Sequence, residues 1–65
     1  MLSGTVKWYN ESSGTGVITP DDGSRDVLFL KSAIEGGGPL HSGQQVEYEL
    51  FGNEDEPEAR RVVPL

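Results

Sequence analysis

The sequence contains no cysteine, little aromatic content and no long apolar run, and each shortage excludes a class of protein. Without cysteine, neither a disulfide nor a thiolate metal site can support the core, which is typical of a reducing compartment, so we expect a cytoplasmic protein. No apolar run approaches the roughly 20 residues that span a bilayer. The N-terminus also lacks the basic start and apolar stretch of a signal peptide. We therefore predict no membrane partner.

Basic residues are also scarce, with 5 Lys and Arg against 11 Asp and Glu and a formal net charge of −6. Duplex DNA and anionic membranes bind basic surfaces, so this balance disfavours both as ligands. Single-stranded nucleic acid stays open as a ligand, because base stacking supplies much of its binding energy.

Residues for catalysis or metal binding are few. His41 is the one histidine, and it lies between Leu40 and Ser42 in a predicted loop, which favours a solvent-exposed residue over a catalytic base or metal ligand. No serine lies in a nucleophile-elbow motif. The carboxylates of Asp21, Asp22 and Asp26 lack the spacing of an EF-hand calcium loop and fit a plain turn instead. We therefore predict no enzyme, no metal site and no cofactor.

The chain does contain short strand-type runs separated by turn residues. Nine Gly and four Pro among 65 residues disfavour long helices, and the length suits one small domain over residues 1–65. The predicted strands are Ser3–Asn10, Gly14–Thr19, Val27–Leu30, Gln44–Phe51 and Ala59–Val63, with a single helical turn at residues 32–34. The predicted fold class is all-β, a small barrel of five strands.

Alternation along the strands predicts which side chains point into the barrel. A barrel needs both Val6 and Tyr9 inside, which strict alternation forbids, so we expect a bulge or a sharp bend near Lys7–Trp8. In the third strand, Val27 and Phe29 share one face, and Leu28 and Leu30 share the other. In the fourth strand, the predicted inward residues are Val46, Tyr48 and Leu50, and the predicted outward residues are Glu47, Glu49 and Phe51.

Several motifs resemble those of the bacterial cold-shock proteins. Residues 4–10, GTVKWYN, resemble the family's opening motif G-x-V-K-W-F-N, and residues 13–20 are similar to its first nucleic-acid-binding motif, K-G-F-G-F-I. Residues 27–34 stand where the family has V-F-V-H-F-S-A-I, and the resemblance covers the whole chain apart from a short deletion near residues 38–40. It implies a five-stranded antiparallel OB-fold barrel that binds single-stranded RNA or DNA as an RNA chaperone.

The departures from the family fall on the face that would bind the ligand. Where the two motifs carry lysine, histidine and phenylalanine, this chain has Ser13, Thr15, Val17, Leu28, Leu30 and Lys31. Trp8 clearly remains, with Lys7 beside it. Because each stacked base contributes roughly 1–3 kcal/mol, we predict binding about a hundredfold or more weaker than that of a family member with all its rings. The structural positions are kept: Val6, Tyr9, Ile18, Val27, Ile34, Val46, Tyr48 and Val62.

The resemblance implies a set of nucleic-acid-binding residues and leaves two alternatives. The set is Lys7, Trp8, Thr15, Val17, Asp26, Leu28, Leu30, Lys31 and Arg60, with Arg61 as a further cation. In the first alternative, the apolar patch of the same face binds a protein partner or a second copy, giving a monomer or weak homodimer. That patch consists of Trp8, Val17, Leu28 and Leu30. The second alternative is an SH3-like barrel that binds proline-rich peptides on an aromatic groove.

Overall fold

The computed structural model describes residues 2–53 and 55–65, and over these residues the chain forms five strands and one turn of 3-10 helix. The strands are β1 (Leu2–Asn10), β2 (Thr15–Pro20), β3 (Val27–Leu30), β4 (Gln45–Gly52) and β5 (Pro57–Pro64). The helical turn spans Lys31–Ala33, one residue earlier than predicted. Every predicted strand is present, with ends that differ from the prediction by at most two residues.

The strands close into a barrel in the order β1-β2-β3-β5-β4, with β4 paired back onto β1. The described pairs are antiparallel except for β3 and β5, where Leu28 and Phe29 pair in parallel with Glu58 and Ala59. This arrangement is the five-stranded OB-fold barrel, not the SH3-like alternative. Across residues 2–53 and 55–65, no helix has the length and apolarity of a membrane span.

A bulge in β1 resolves the conflict between alternation and burial. Val6 and Trp8 pair with consecutive residues of β2, so Lys7 is the extra residue of the bulge. As a result Val6 is buried, Lys7 and Trp8 are exposed, and Tyr9 packs against the core. The predicted bulge is confirmed, and it presents Lys7 and Trp8 side by side on the outer surface.

Within the described residues, ten hydrophobic side chains are buried and fill the barrel. They are Val6, Ile18, Val27, Phe29, Ile34, Leu40, Val46, Tyr48, Ala59 and Val62. Most were predicted from period two or from the family positions. Leu40 was not, because it lies in a loop, where alternation gives no signal of burial.

Leu50 does not follow the prediction. Period two places it inside the barrel, but 53% of the residue is exposed. Leu50 lies near the end of β4, paired with buried Ala59, and the extra residue of the register shift beside it is Arg60 of β5, so period two continues along β4. Leu50 lines an open groove with Leu2 and Tyr48 and does not fill the core.

The two tight turns form as their composition predicts. Asn10 Oδ1 accepts a hydrogen bond from the Ser12 amide at 3.0 Å, and Gly14 ends this turn with a φ of 70°. In the next turn, Asp22 Oδ1 accepts a hydrogen bond from the Ser24 amide at 2.9 Å. Hydrogen bonding from the Ser24 hydroxyl and amide lowers the pKa of the Asp22 carboxyl, so the turn uses this carboxylate in its charged form.

Tyr9 carries a hydroxyl group that its surroundings do not satisfy. Its ring stacks on Phe29, with centroids 5.8 Å apart and planes at 7°, and its Oη is buried without a hydrogen-bond partner among the described residues. A buried polar group without a partner destabilises a protein by about 1–3 kcal/mol. We therefore expect Tyr9→Phe to raise the free energy of unfolding by about 1 kcal/mol in urea denaturation.

Tyr48→Phe is the matched control for this experiment. Tyr48 is also a core tyrosine. Unlike Tyr9, it does not have a hydroxyl oxygen that is both buried and without a hydrogen-bond partner among the described residues. This variant is not expected to gain stability. If Tyr9→Phe lost stability instead, the Tyr9 hydroxyl would have a hydrogen-bond partner in solution.

Candidate functional site

The candidate site lies on the outer surface of β1, β2 and β3. The register aligns Trp8 with Val17 and Val17 with Leu28, so these side chains form one row across three strands. Thr15 pairs with Leu30 in the next row. Trp8, Leu28 and Leu30 are each 41–43% exposed, although they are hydrophobic. We call the five residues of these two rows the outer face.

Alternation in β2 and β3 holds the outer face in place, because the residues between its members point into the core. Gly16 is one of these inward-pointing residues, and its neighbours lie especially close to it. A Cβ atom on Gly16 would lie 2.7 Å from Cε1 of Phe29 and 2.9 Å from the carbonyl oxygen of Trp8, nearer than real Cβ atoms approach. Glycine therefore lets β1 and β3 pack closely on β2, which fixes the backbone that carries Trp8.

Lys7 and Asp26, two predicted site residues, form an ion pair beside Trp8. Lys7 Nζ lies 3.1 Å from Asp26 Oδ2, and both side chains are exposed. An exposed ion pair contributes at most about 1 kcal/mol. A phosphate group can therefore compete with Asp26 for Lys7, and Asp26 itself opposes an anionic ligand at this corner.

Lys31 and Arg60 supply positive charge on the opposite side of the outer face. Lys31 directly follows Leu30, and its amide donates to the Gly14 carbonyl at 2.7 Å, which anchors it to the β1–β2 turn. Arg60 lies on β5, one residue after the pairing with β3 ends. Neither side chain forms an ion pair with another described residue. Both charges are available to an anionic ligand.

Arg61, by contrast, is occupied. Its Nε lies 2.9 Å from Glu35 Oε2, and another of its nitrogens lies 3.9 Å from Glu49 Oε1. The hydrogen bond to Glu35 raises the pKa of the guanidinium group and holds it between these carboxylates. Arg61 is therefore a weaker candidate for ligand binding than Arg60.

Carboxylates border the outer face next to Val17 and Leu28. A hollow beside these two residues is also lined by Arg25, Asp26, Asp55, Glu56, Pro57 and Glu58. Arg25 donates to the Asp55 carbonyl oxygen at 3.3 Å, so it is engaged in holding this loop. The outer face is therefore acidic on one side and basic on the other, and phosphate groups are favoured along the side of Lys31 and Arg60.

Two residues that the sequence did not mark as functional extend the first row. Glu58 pairs with Leu28 on one side and with Phe51 on the other, so the row continues over β5 to β4. The Arg60 guanidinium carbon lies over the Phe51 ring, 5.3 Å from its centroid. The sequence predicts that Phe51 points outward, but only the strand order shows that it adjoins the outer face.

Two comparisons with known proteins agree with this geometry. The family model described as the 'cold-shock' DNA-binding domain matches residues 2–65. Cold shock-like protein CspE of Escherichia coli (strain K12) is 47% identical over 66 residues, which cover 98% of this chain and 96% of the relative. Cold shock-like protein CspC of the same strain and CspE of Buchnera aphidicola from Acyrthosiphon pisum show the same identity and coverage. Because the family model and the relatives span nearly the whole chain, we conclude that the protein belongs to the cold-shock domain family.

Proposed function

We propose that this protein binds single-stranded RNA or DNA on its outer face, with lower affinity than a cold-shock protein that keeps all its aromatic rings. The observation that carries the proposal is Trp8, which is 43% exposed and lies beside Lys7 in register with Val17. Family membership supports it, since cold-shock domains and other OB folds bind oligonucleotides on this part of the barrel. The alternative of a protein-binding face is not favoured by the family.

Each part of the outer face has a chemical role in this proposal. Trp8 stacks on one base, and Val17, Leu28 and Leu30 offer apolar contact to its neighbours without a π face. The Thr15 hydroxyl lies 2.7 Å from the Ser13 hydroxyl. Each hydroxyl group can donate a hydrogen bond to a base edge or accept one from it. Lys7, Lys31 and Arg60 meet phosphate groups.

Low affinity follows from what the outer face lacks. Four of its five residues are not aromatic, and each missing ring removes roughly 1–3 kcal/mol of stacking. The carboxylates beside Leu28 and the net charge of −6 repel the phosphate backbone. Weak binding without sequence preference suits an RNA chaperone, which must hold single strands briefly and release them. We place this activity in the cytoplasm, in a monomer or weak homodimer without catalytic function.

Titration of Trp8 fluorescence tests the proposal directly, because Trp8 is the one tryptophan and lies in the site. We expect oligo-dT and oligo-U to quench it at tens of micromolar concentration in low salt. With Lys7, Lys31 and Arg60 as phosphate contacts, the logarithm of the binding constant should fall with log salt at a slope of about −2, roughly 0.7 per contact. A duplex of equal length is the control and should not quench. Unchanged fluorescence with both single strands would show that the proposal is wrong.

A further inference from the structure

We infer that the single strand continues beyond β3, and that Phe51 and Arg60 form a second base-stacking site on β4 and β5. This inference rests on the proposed function. It identifies the residues that contact the bound strand at the end away from Trp8. The ligand at this site is one base of the strand, together with the phosphate next to it.

The register places this second site in line with Trp8 along a row that runs round the outside of the closed barrel. The continuous row runs Trp8, Val17, Leu28, Glu58, Phe51. Neighbouring strands lie about 4.8 Å apart, so the row covers about 19 Å of the barrel surface. One OB fold contacts about 4–16 nucleotides, and a strand near the upper end of that range reaches both ends of the row.

Phe51 has the exposure that a stacking platform needs. It is 54% exposed, near the end of β4, and is one of the most exposed hydrophobic residues in the described chain. An outward phenylalanine on a strand contributes nothing to this core, whereas a base that covers it removes apolar surface from water. Its ring can replace part of the stacking surface that Val17 and Leu28 no longer provide.

Arg60 joins the second site to the outer face. Its guanidinium group lies over the Phe51 ring and forms no ion pair with a described residue. A planar guanidinium on an aromatic face extends the stack, and its remaining donors suit a phosphate oxygen. The arginine can therefore hold the backbone of a strand while Phe51 holds the base.

The charges along β5 decide the route between the two sites. Glu58 lies in the row between Leu28 and Phe51, and Asp55 and Glu56 precede it, so a phosphate is disfavoured there. Arg60 lies two residues further along β5, about 7 Å from Glu58. The strand therefore passes from Leu30 over Arg60 to Phe51, and it avoids the acidic side.

Two lengths of oligo-dT, about 4 and about 16 nucleotides, test the inference with Trp8 fluorescence as the signal. We expect Phe51→Ala to weaken binding of the longer strand by about tenfold, within the range for loss of one stacked base. Binding of the shorter strand at Trp8 should change less than about twofold, because a strand of this length does not need the second site. Phe51→Leu should weaken the longer strand nearly as much, since leucine keeps the apolar bulk and lacks the ring.

Leu50→Ala is the matched control, since Leu50 is equally exposed on β4 but lines the groove with Leu2 and Tyr48. It should leave the affinity for both strands unchanged, and thermal unfolding should show that each variant is folded. If the wild-type protein binds the longer strand and both Phe51 variants bind it equally well, the inference is overturned and the proposed function stands. If the wild-type protein binds neither strand, both fail together.

Discussion

Replacing three residues of the outer face by phenylalanine, as Thr15→Phe, Val17→Phe and Leu28→Phe together, is expected to tighten binding of oligo-dT by about a hundredfold or more. These side chains lie on the outer surface of β2 and β3, in the two rows that contain Trp8 and Leu30. Each added ring offers roughly 1–3 kcal/mol of stacking, and 1.4 kcal/mol is a tenfold change in affinity. We expect about a hundredfold, which is less than the full sum, because the stacking contributions of neighbouring rings do not add fully. Trp8 fluorescence titration measures it.

The double variant Thr15→Leu and Val17→Leu is the matched control, because position 28 is already leucine. It makes the outer face as apolar as the phenylalanine variant but adds no ring, and we expect its affinity to stay within about threefold of wild type. An equal gain from leucine would mean that apolar contact, not stacking, limits the affinity. No gain from phenylalanine would mean that the ligand does not lie on the outer face.

Gly16→Ala is expected to have the largest effect on stability. Its Cβ would overlap the Phe29 ring, which is fully buried, and would press on the carbonyl oxygen of Trp8, which is backbone. Overpacking of this kind lowers the free energy of unfolding by about 1–3 kcal/mol and sometimes more. A 65-residue barrel has little stability to lose, so a large unfolded fraction at 37 °C is expected.

Gly38→Ala is the control for this variant. A Cβ at Gly38 meets nothing within 4 Å, and its φ lies outside the left-handed range, so alanine fits there. We expect a change within about 0.5 kcal/mol in urea denaturation. If Gly16→Ala were as stable as Gly38→Ala, the packing of β1 and β3 against β2 would be looser than the structure shows.

The strands and the bulge were predictable because their signals are local. Short runs with period two, separated by Asn, Asp, Gly and Pro, mark strands and turns within a few residues of sequence. The bulge followed from a conflict inside one strand, since Val6 and Tyr9 both had to face the core. The resemblance then added the OB-fold topology, which no local pattern contains.

Other features depended on pairing between distant strands and so were not predictable. Leu50 is predicted to lie inside, and its exposure depends on which residues of other strands cover the end of β4, which β4 alone does not reveal. The contact of Arg60 with Phe51 likewise exists only because β5 lies beside β4. The roles of the site residues, from Lys7 to Arg60, remain predictions that the experiments above address.

The parallel pairing of β3 with β5 has a consequence for how the barrel is completed. β5 follows the other strands in sequence but lies between β3 and β4 in the barrel. The barrel therefore closes only after β5 has been synthesised and has paired with both neighbours. The register of β5 with β3 consists of Leu28–Glu58 and Phe29–Ala59, followed by an isolated bridge of Ile34 to Val62, and because this seam is the shortest strand pairing among the described residues, we expect local opening to begin there. A nucleic-acid strand that reaches from Leu30 to Arg60 crosses this seam. Such a strand binds only the closed form of the barrel, because opening separates the two residues. Ligand binding and barrel closure therefore stabilise each other.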